Sequence, residues 1–327
     1  MPALDLRLLD GWQRDLPLVA RPFAAMAAAL GLSEAEVIER LAVLRANGAV
    51  ARVGATVRPN TVGASTLAAL AVPEGRIEAV AAIVGAEPGV NHSYLREHER
   101  NLWFVVTGPN RAHLDATLAR IAAQSGLRVL DLPLVQAFNL DLGFNLGGPR
   151  RGNRLAVAAD ISVLRDDDGP IIQAMAEGLA LVAQPFAALG AALGRPEAEV
   201  LARVQVLAAA GILSRVGVIV RHRALGWCAN AMVVWNVAPA RIKAAGLALA
   251  RHPGVTLCYQ RRTVPGVWPY GLFCMVHARA RAEALAVLDE TAALPELAGA
   301  DHRALFSQRC FKQTGALVHQ ALGVAAE

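Results

Sequence analysis

The chain is built on an internal repeat. Residues Pro22 to Gly54 (PFAAMAAALGLSEAEVIERLAVLRANGAVARVG) match Pro185 to Gly217 (PFAALGAALGRPEAEVLARVQVLAAAGILSRVG) at a constant offset of 163, with 20 of 33 positions identical. A match of that length means duplication. The offset holds through Arg58/Arg221 and Gly63/Gly226, becomes 165 at Gly89-Val90/Gly254-Val255, and keeps Tyr94/Tyr259 and Arg96/Arg261 in register. Each half is therefore one complete copy, and 327 residues are ample for two domains per half.

Within each copy the first fifty or so residues show helical periodicity broken by a tight turn at Gly31 and Gly194, then a second helix ending at Gly48 and Gly211. This is a helix-turn-helix. Ser33-x-x-Glu36 is a capping box opening the second helix, whereas the second copy has Pro196 at the serine position. Ala49 to Val57 and Ile212 to Val220 read as β wings. The remainder of copy one reads strand 66–72, helix 76–84, strands 90–94 and 102–107, helix 112–124 and strand 127–132. Copy two repeats that order, ending on a strand near 304–306. The βαββαβ order predicts a ferredoxin-like sandwich, so the expected fold class is α+β, duplicated. The expected division is winged helix-turn-helix 1–60, ferredoxin-like domain 61–147, linker 148–170, winged helix-turn-helix 171–223 and ferredoxin-like domain 224–327. The linker is marked by Gly147-Gly-Pro-Arg-Arg-Gly-Asn-Arg154.

Hydrophobic residues make up 55% and mean hydropathy is +0.38, which raises the question of a membrane span. The longest uncharged run, 178–194, is interrupted by Gln184-Pro185, and Asp5, Arg7 and Asp10 stand where a signal peptide needs an apolar stretch. A soluble, cytoplasmic protein with no membrane partner is expected. Cys228, Cys258, Cys274 and Cys310 form no CxxC pair, so neither a protein metal site nor a disulfide framework is expected. Only Lys243 and Lys312 could form a Schiff base, and Lys243 lies at an exposed helical start, which argues against pyridoxal chemistry.

A winged helix-turn-helix followed by a ferredoxin-like domain resembles the Lrp/AsnC class of transcription regulators, and a pI of 9.4 suits a nucleic-acid partner. The second helices argue otherwise. Base reading needs Arg, Lys, Asn or Gln near the helix start, and the copies offer Ser33-Glu-Ala-Glu36 and Pro196-Glu-Ala-Glu199. Those carboxylates repel phosphate, so a packing scaffold without DNA is expected, with cytosine contacts the remaining opening for DNA.

The densest polar cluster is Gly89-Val-Asn-His-Ser-Tyr-Leu-Arg-Glu-His-Glu-Arg-Asn-Leu-Trp-Phe104. On a strand, His92, Tyr94, Arg96 and His98 alternate by two and share one face. A solvated hairpin explains any one of them; four together point to a site that binds a carboxylate and supplies a proton near neutral pH. In copy two Tyr259 and Arg261 keep the face while Leu257 and Thr263 replace the histidines, so the two sites are expected to differ in activity. Arg52, Arg58, Arg215, Arg221, His222 and Arg223, on or just after the wings, add an arginine wall. Asn101, Trp103, Arg262 and Trp268 complete the candidate binding residues.

The strings VNHSYLREHERNLWFVV, LDLPLVQAFNLDLGFNL, RHRALGWCANAMVVW, LCYQRR with WPYGLFCMVH, and FSQRCFKQTGA resemble the siroheme decarboxylase family, Lrp-like proteins of haem d1 and alternative haem synthesis. The first half is similar to the D-type subunit and the second to the L-type, fused in one chain. The resemblance implies loss of CO₂ from the C12 and C18 acetates of siroheme, giving 12,18-didecarboxysiroheme without an added cofactor. It also implies dimers or assemblies with related subunits through the ferredoxin-like sheets. In this reading Arg96 and its neighbours orient carboxylates, His92 and His98 donate protons with Tyr94 assisting, and a histidine on the substrate iron is left open. A haem-responsive transcription regulator using the same pocket is the alternative. Two positions depart from the family's pattern, Thr263 after the arginine pair and Gly271 after Tyr270, and they place copy two's share in catalysis in question.

Overall fold

A computed structural model describes residues 1–139, 146 and 158–319. The marked linker segment 147–154 lies outside the described residues, as do the ends of both expected ferredoxin-like stretches beyond 146 and 319. Copy one runs α1 (Ala3–Trp12), α2 (Pro22–Leu30), α3 (Glu34–Ala46), β1 (Val50–Val57), β2 (Ala64–Leu70), α4 (Ile77–Ala86), β3 (Val90–Arg96), β4 (Leu102–Gly108), α5 (Arg111–Ser125) and β5 (Leu130–Asn139). Copy two repeats it as α6 (Gly169–Glu177), α7 (Pro185–Leu193), α8 (Glu197–Ala209), β6 (Leu213–Val220), β7 (Ala229–Asn236), α9 (Ile242–Arg251), β8 (Val255–Arg261), β9 (Leu272–Ala278), α10 (Arg281–Ala292) and β10 (Asp301–Gln313).

The helix-turn-helix turns follow from local chemistry. Gly31 and Gly194 close α2 and α7 in the left-handed region, at φ 71° and 66°, where a side chain is strained. Ser33 Oγ accepts from Glu36 N at 3.2 Å and Glu36 Oε2 accepts from Ser33 N at 2.9 Å, so the capping box is formed; α8 begins at Pro196 with no side-chain cap.

The wings do not hang from their own copies. β1 and β6 pair antiparallel with each other, Gly54 opposite Gly217, and form one two-stranded sheet shared by both halves. Each copy's first helix packs on the other copy's wing: Leu16 N donates to Val216 O at 3.0 Å and Leu179 N to Val53 O at 2.7 Å. The repeated glycines make this approach possible. A Cβ on Gly54 would sit 2.6 Å from Met175 O, and one on Gly217 2.5 Å from Trp12 O. Leu8, Phe23, Leu41, Ile172, Phe186 and Leu207 then form one core across both helix-turn-helix units.

The ferredoxin-like sheets are also joined. Strand order β10-β3-β4-β2-β5-β8-β9-β7 closes into an eight-stranded barrel. Two long strands make the joints. β5 pairs β2 through residues 130–133 and β8 through residues 134–139; β10 pairs β7 through residues 301–306 and β3 through residues 307–313. The sequence reading of strands at 127–132 and 304–306 therefore stopped short, because it sought only the pairing inside one copy. Leu67, Trp103, Leu132, Met232, Phe273 and Leu305 fill the barrel, while α4 and α5 cover copy one's outer face and α9 and α10 copy two's.

Candidate active site

The barrel sets which side chains meet. Tyr94 stands opposite Trp103 and His92 opposite Val105, both barrel-facing positions, so His92, Tyr94 and Arg96 point inward from β3. On β9, His277 follows Phe273 and Met275 by steps of two; on β7, Asn230 precedes Met232 by two and is paired with His277. On β10, Ser307 stands opposite Arg96 and Cys310 opposite Tyr94. The turn after β6 brings His222 and Arg223 over the same end of the barrel. Asn230 Nδ2 lies 2.7 Å from His222 Nε2, the His222 and His277 rings meet edge-on at 4.8 Å, and Arg223 Nη1 reaches Ser307 Oγ at 3.5 Å.

The site is therefore a composite, with β3 from copy one and β7, β9, β10 and the post-wing turn from copy two. Copy two, whose share the sequence left in question, supplies two of the three imidazoles. Arg52 on β1 comes close enough for its charge to act on His92, and Arg221 acts on Cys310 in the same way.

Electrostatically the cluster is positive, with Arg96, His222, His277 and Asn230 buried. Burial, then Arg52, takes His92 down to about 4. Burial, then Arg223, His92 and Arg96, takes His222 down to about 4, and burial carries His277 well below its ordinary value. All three imidazoles are neutral at pH 7. Burial pushes the Tyr94 hydroxyl up, and it hydrogen-bonds Cys310, whose thiol burial also raises. Arg96 is 6% exposed; it stacks on Tyr94 at 5.4 Å and donates through Nη1 to Leu305 O at 3.0 Å. Its Nε is buried with no partner, and no carboxylate is among the groups acting on it. A desolvated guanidinium without a carboxylate is costly and creates demand for an anionic ligand.

The second copy's motif occupies the mirror position. Arg261 Nη1 donates to Leu132 O at 2.8 Å and its guanidinium lies 4.7 Å over Tyr259. There the repeat places Leu257 for His92, Thr107 for His277, Ser65 for Asn230 and Pro59 for His222, so that half keeps the cation and has lost every imidazole. Arg58 donates to Gly211 O at 3.1 Å, Arg215 sits opposite Thr56 in the wing ladder, and Arg262 N donates to Pro133 O at 3.0 Å.

Four sequence expectations change place. His98 does not share the face of His92, because β3 ends at Arg96 and the chain turns: His98 Nδ1 accepts from Arg100 N at 3.0 Å and its ring meets Trp268 at 5.6 Å. Trp103 and Trp268, 5.1 Å apart, are 1% and 2% exposed and pack in the barrel core, Trp268 against Tyr270 and Phe273. Asn101 spends its amide on Val72, donating to its O at 2.8 Å and accepting from its N at 2.9 Å. Sequence reasoning passed over His277, Asn230 and Cys310. The period-two spacing of His277 from Phe273 and Met275 was the available signal, but only barrel closure brings β9 beside β3.

The comparisons with known proteins match this layout. A family model described as the AsnC-like ligand binding domain matches residues 62–139 and 224–312, and the siroheme decarboxylase NirDL-like HTH domain matches residues 5–50 and 168–213. The siroheme decarboxylase NirDL subunit of Paracoccus pantotrophus is 65% identical over 319 residues, covering 97% of this chain and 98% of that one. The chain belongs to the siroheme decarboxylase NirDL family. A crystal structure of the siroheme decarboxylase NirDL in co-complex with an iron-uroporphyrin III analogue matches with TM-score 0.66 and 26% identity, over 96% of this chain and 92% of that one. The siroheme decarboxylase NirD subunit of Stutzerimonas stutzeri is 56% identical over 147 residues, 45% of this chain and 97% of its own. Family members thus include half-length chains. Among the described residues no helix is long and apolar enough to cross a membrane, and no three His, Cys, Asp or Glu side chains gather as a metal site.

Proposed function

We propose that this chain, a carboxy-lyase by family, removes CO₂ from the C12 and C18 acetates of siroheme in the cytoplasm, giving 12,18-didecarboxysiroheme without an added cofactor. The observation that carries the reading is the meeting of three neutral imidazoles with the desolvated Arg96 at one end of the barrel. Siroheme brings eight carboxylates, and Arg52, Arg96, Arg221 and Arg223 supply the cations to orient them. Once a carboxylate is held, the C–C bond to the methylene breaks, CO₂ leaves, and the electron pair stays on the methylene carbon, spread into the tetrapyrrole. A proton added at that carbon completes the methyl group.

The imidazoles are the proton source. Burial and neighbouring cations oppose a charge on them; the substrate's carboxylates reverse that field and favour imidazolium. Tyr94, held by Cys310 and Arg96, orients the same carboxylate. Because the mirror half-site around Tyr259 and Arg261 has no imidazole, both acetates react at the one composite site and the mirror half only anchors. The sheet-to-sheet joint expected between subunits is formed inside one chain, so the site needs no second chain, and any homodimer forms through other surfaces.

The test is anaerobic incubation of the purified protein with siroheme, followed by mass spectrometry of the pigment. Loss of one and then a second CO₂ is expected. Siroheme recovered bound but unchanged would overturn the reading in favour of a tetrapyrrole sensor or carrier.

A further inference from the structure

We propose that Asn230 is a positioning residue whose side-chain amide lets His222 gain and lose its proton without losing its hydrogen bond. This rests on the proton-donating role given above to the imidazole cluster. Asn230 is 3% exposed, on β7, directly opposite His277 in the ladder. Its Nδ2 lies 2.7 Å from His222 Nε2. An amide nitrogen only donates, so Nε2 is the acceptor there and the neutral ring carries its proton on Nδ1. The other end of the same amide, Oδ1, is buried without a hydrogen bond. That orphaned acceptor is a cost that a purely structural asparagine would not keep.

A half-turn of the amide puts Oδ1 where Nδ2 was. Oδ1 then accepts from the Nε2–H of a protonated His222, so one side chain matches both states of the imidazole. A carboxylate at this position only accepts, so it would hold a proton on Nε2 and favour the charged ring, and an apolar side chain matches neither state. The groups facing His222 include Arg223 on its own turn, His92 and Arg96 on β3, and His277 on β9. Arg223, His92 and Arg96 act against a proton on His222; the substrate's carboxylates oppose them, and the amide turns with the charge. The repeat bears this pairing out. In copy one, Pro59 stands for His222 and Ser65 for Asn230, so the imidazole and its amide are absent together.

The experiment uses the full chain with ¹⁵N-labelled histidine, titrated by NMR without substrate, beside the pH dependence of kcat with siroheme. In Asn230→Asp, the His222 titration is expected to rise above the ordinary histidine value and the acid limb of kcat to move alkaline. In Asn230→Leu, kcat is expected to fall roughly tenfold, the rate equivalent of one hydrogen bond, with KM little changed. Asn230→Gln is expected to restore part of that loss. An unmoved His222 titration in Asn230→Asp, or a kcat profile in Asn230→Leu that overlays the parent's, overturns the proposal. The titration reads the amide-imidazole coupling even if siroheme is not turned over, so the two readings fail separately.

Discussion

Replacing His92 or His277 by alanine is expected to lower kcat by about 10²–10⁴-fold, the usual worth of a positioned proton donor, while siroheme binding followed by its absorbance changes little. His98→Ala is expected to leave turnover near the parent's, since its ring packs on Trp268 after β3 has ended. A large loss there, with His92→Ala active, would place the chemistry beside Trp268 instead. The same imidazoles make a stability prediction. His92 and His222 fall to about 4 in the folded protein, below the ordinary value near 6.5, so the unfolded chain binds more protons between those limits. Their effect on stability is nil above about pH 6.5, and stability is lost as pH falls toward 4. Thermal melts of ligand-free protein should show a shallower acid slope for His92→Gln than for the parent. Equal slopes would mean that His92 is not held neutral.

Among the elements, α3 and α8 carry nearly the same sequence and differ in how they begin. Ser33 caps α3 through Glu36, while α8 starts at Pro196 uncapped. Ser33→Ala is expected to destabilise the protein by about 1 kcal/mol, measured by denaturant titration, with kcat unchanged because α3 lies in the scaffold. A change in kcat would show that the helix-turn-helix core communicates with the barrel mouth. The strands teach a different lesson. β5 and β10 each serve two sheets, and their second halves were illegible because a strand's pairing partner is written elsewhere in the chain. The wings were legible as strands, but their mutual pairing rests on the helices α1 and α6 that cross over them.

For the whole molecule, three strand pairings among the described residues bind the copies, the wing pair, β5 with β8 and β10 with β3, beside the shared helix-turn-helix core. Two polypeptides, 1–147 and 158–327, produced together are therefore expected to copurify as a stable pair and to turn over siroheme. The half-length NirD subunit in the same family fits that expectation. Each half alone is expected to be inactive, since β3 and the pair His222 and His277 lie on different halves. Activity in either half by itself would refute the composite site.

The duplication, the order of elements and the Tyr-x-Arg pair in each copy are legible along the chain, and the kind of ligand is legible in the motifs that resemble the siroheme decarboxylase family. Those properties are local or periodic, so they are read along the chain. The interlocking of the copies, the approach of His222, with Asn230 and His277 beside it, to His92 and Arg96 of the other copy, and the turning away of His98 belong to the folded molecule alone. Barrel closure and strand register are long-range choices, made by burial across the two halves, and no single segment's pattern contains them.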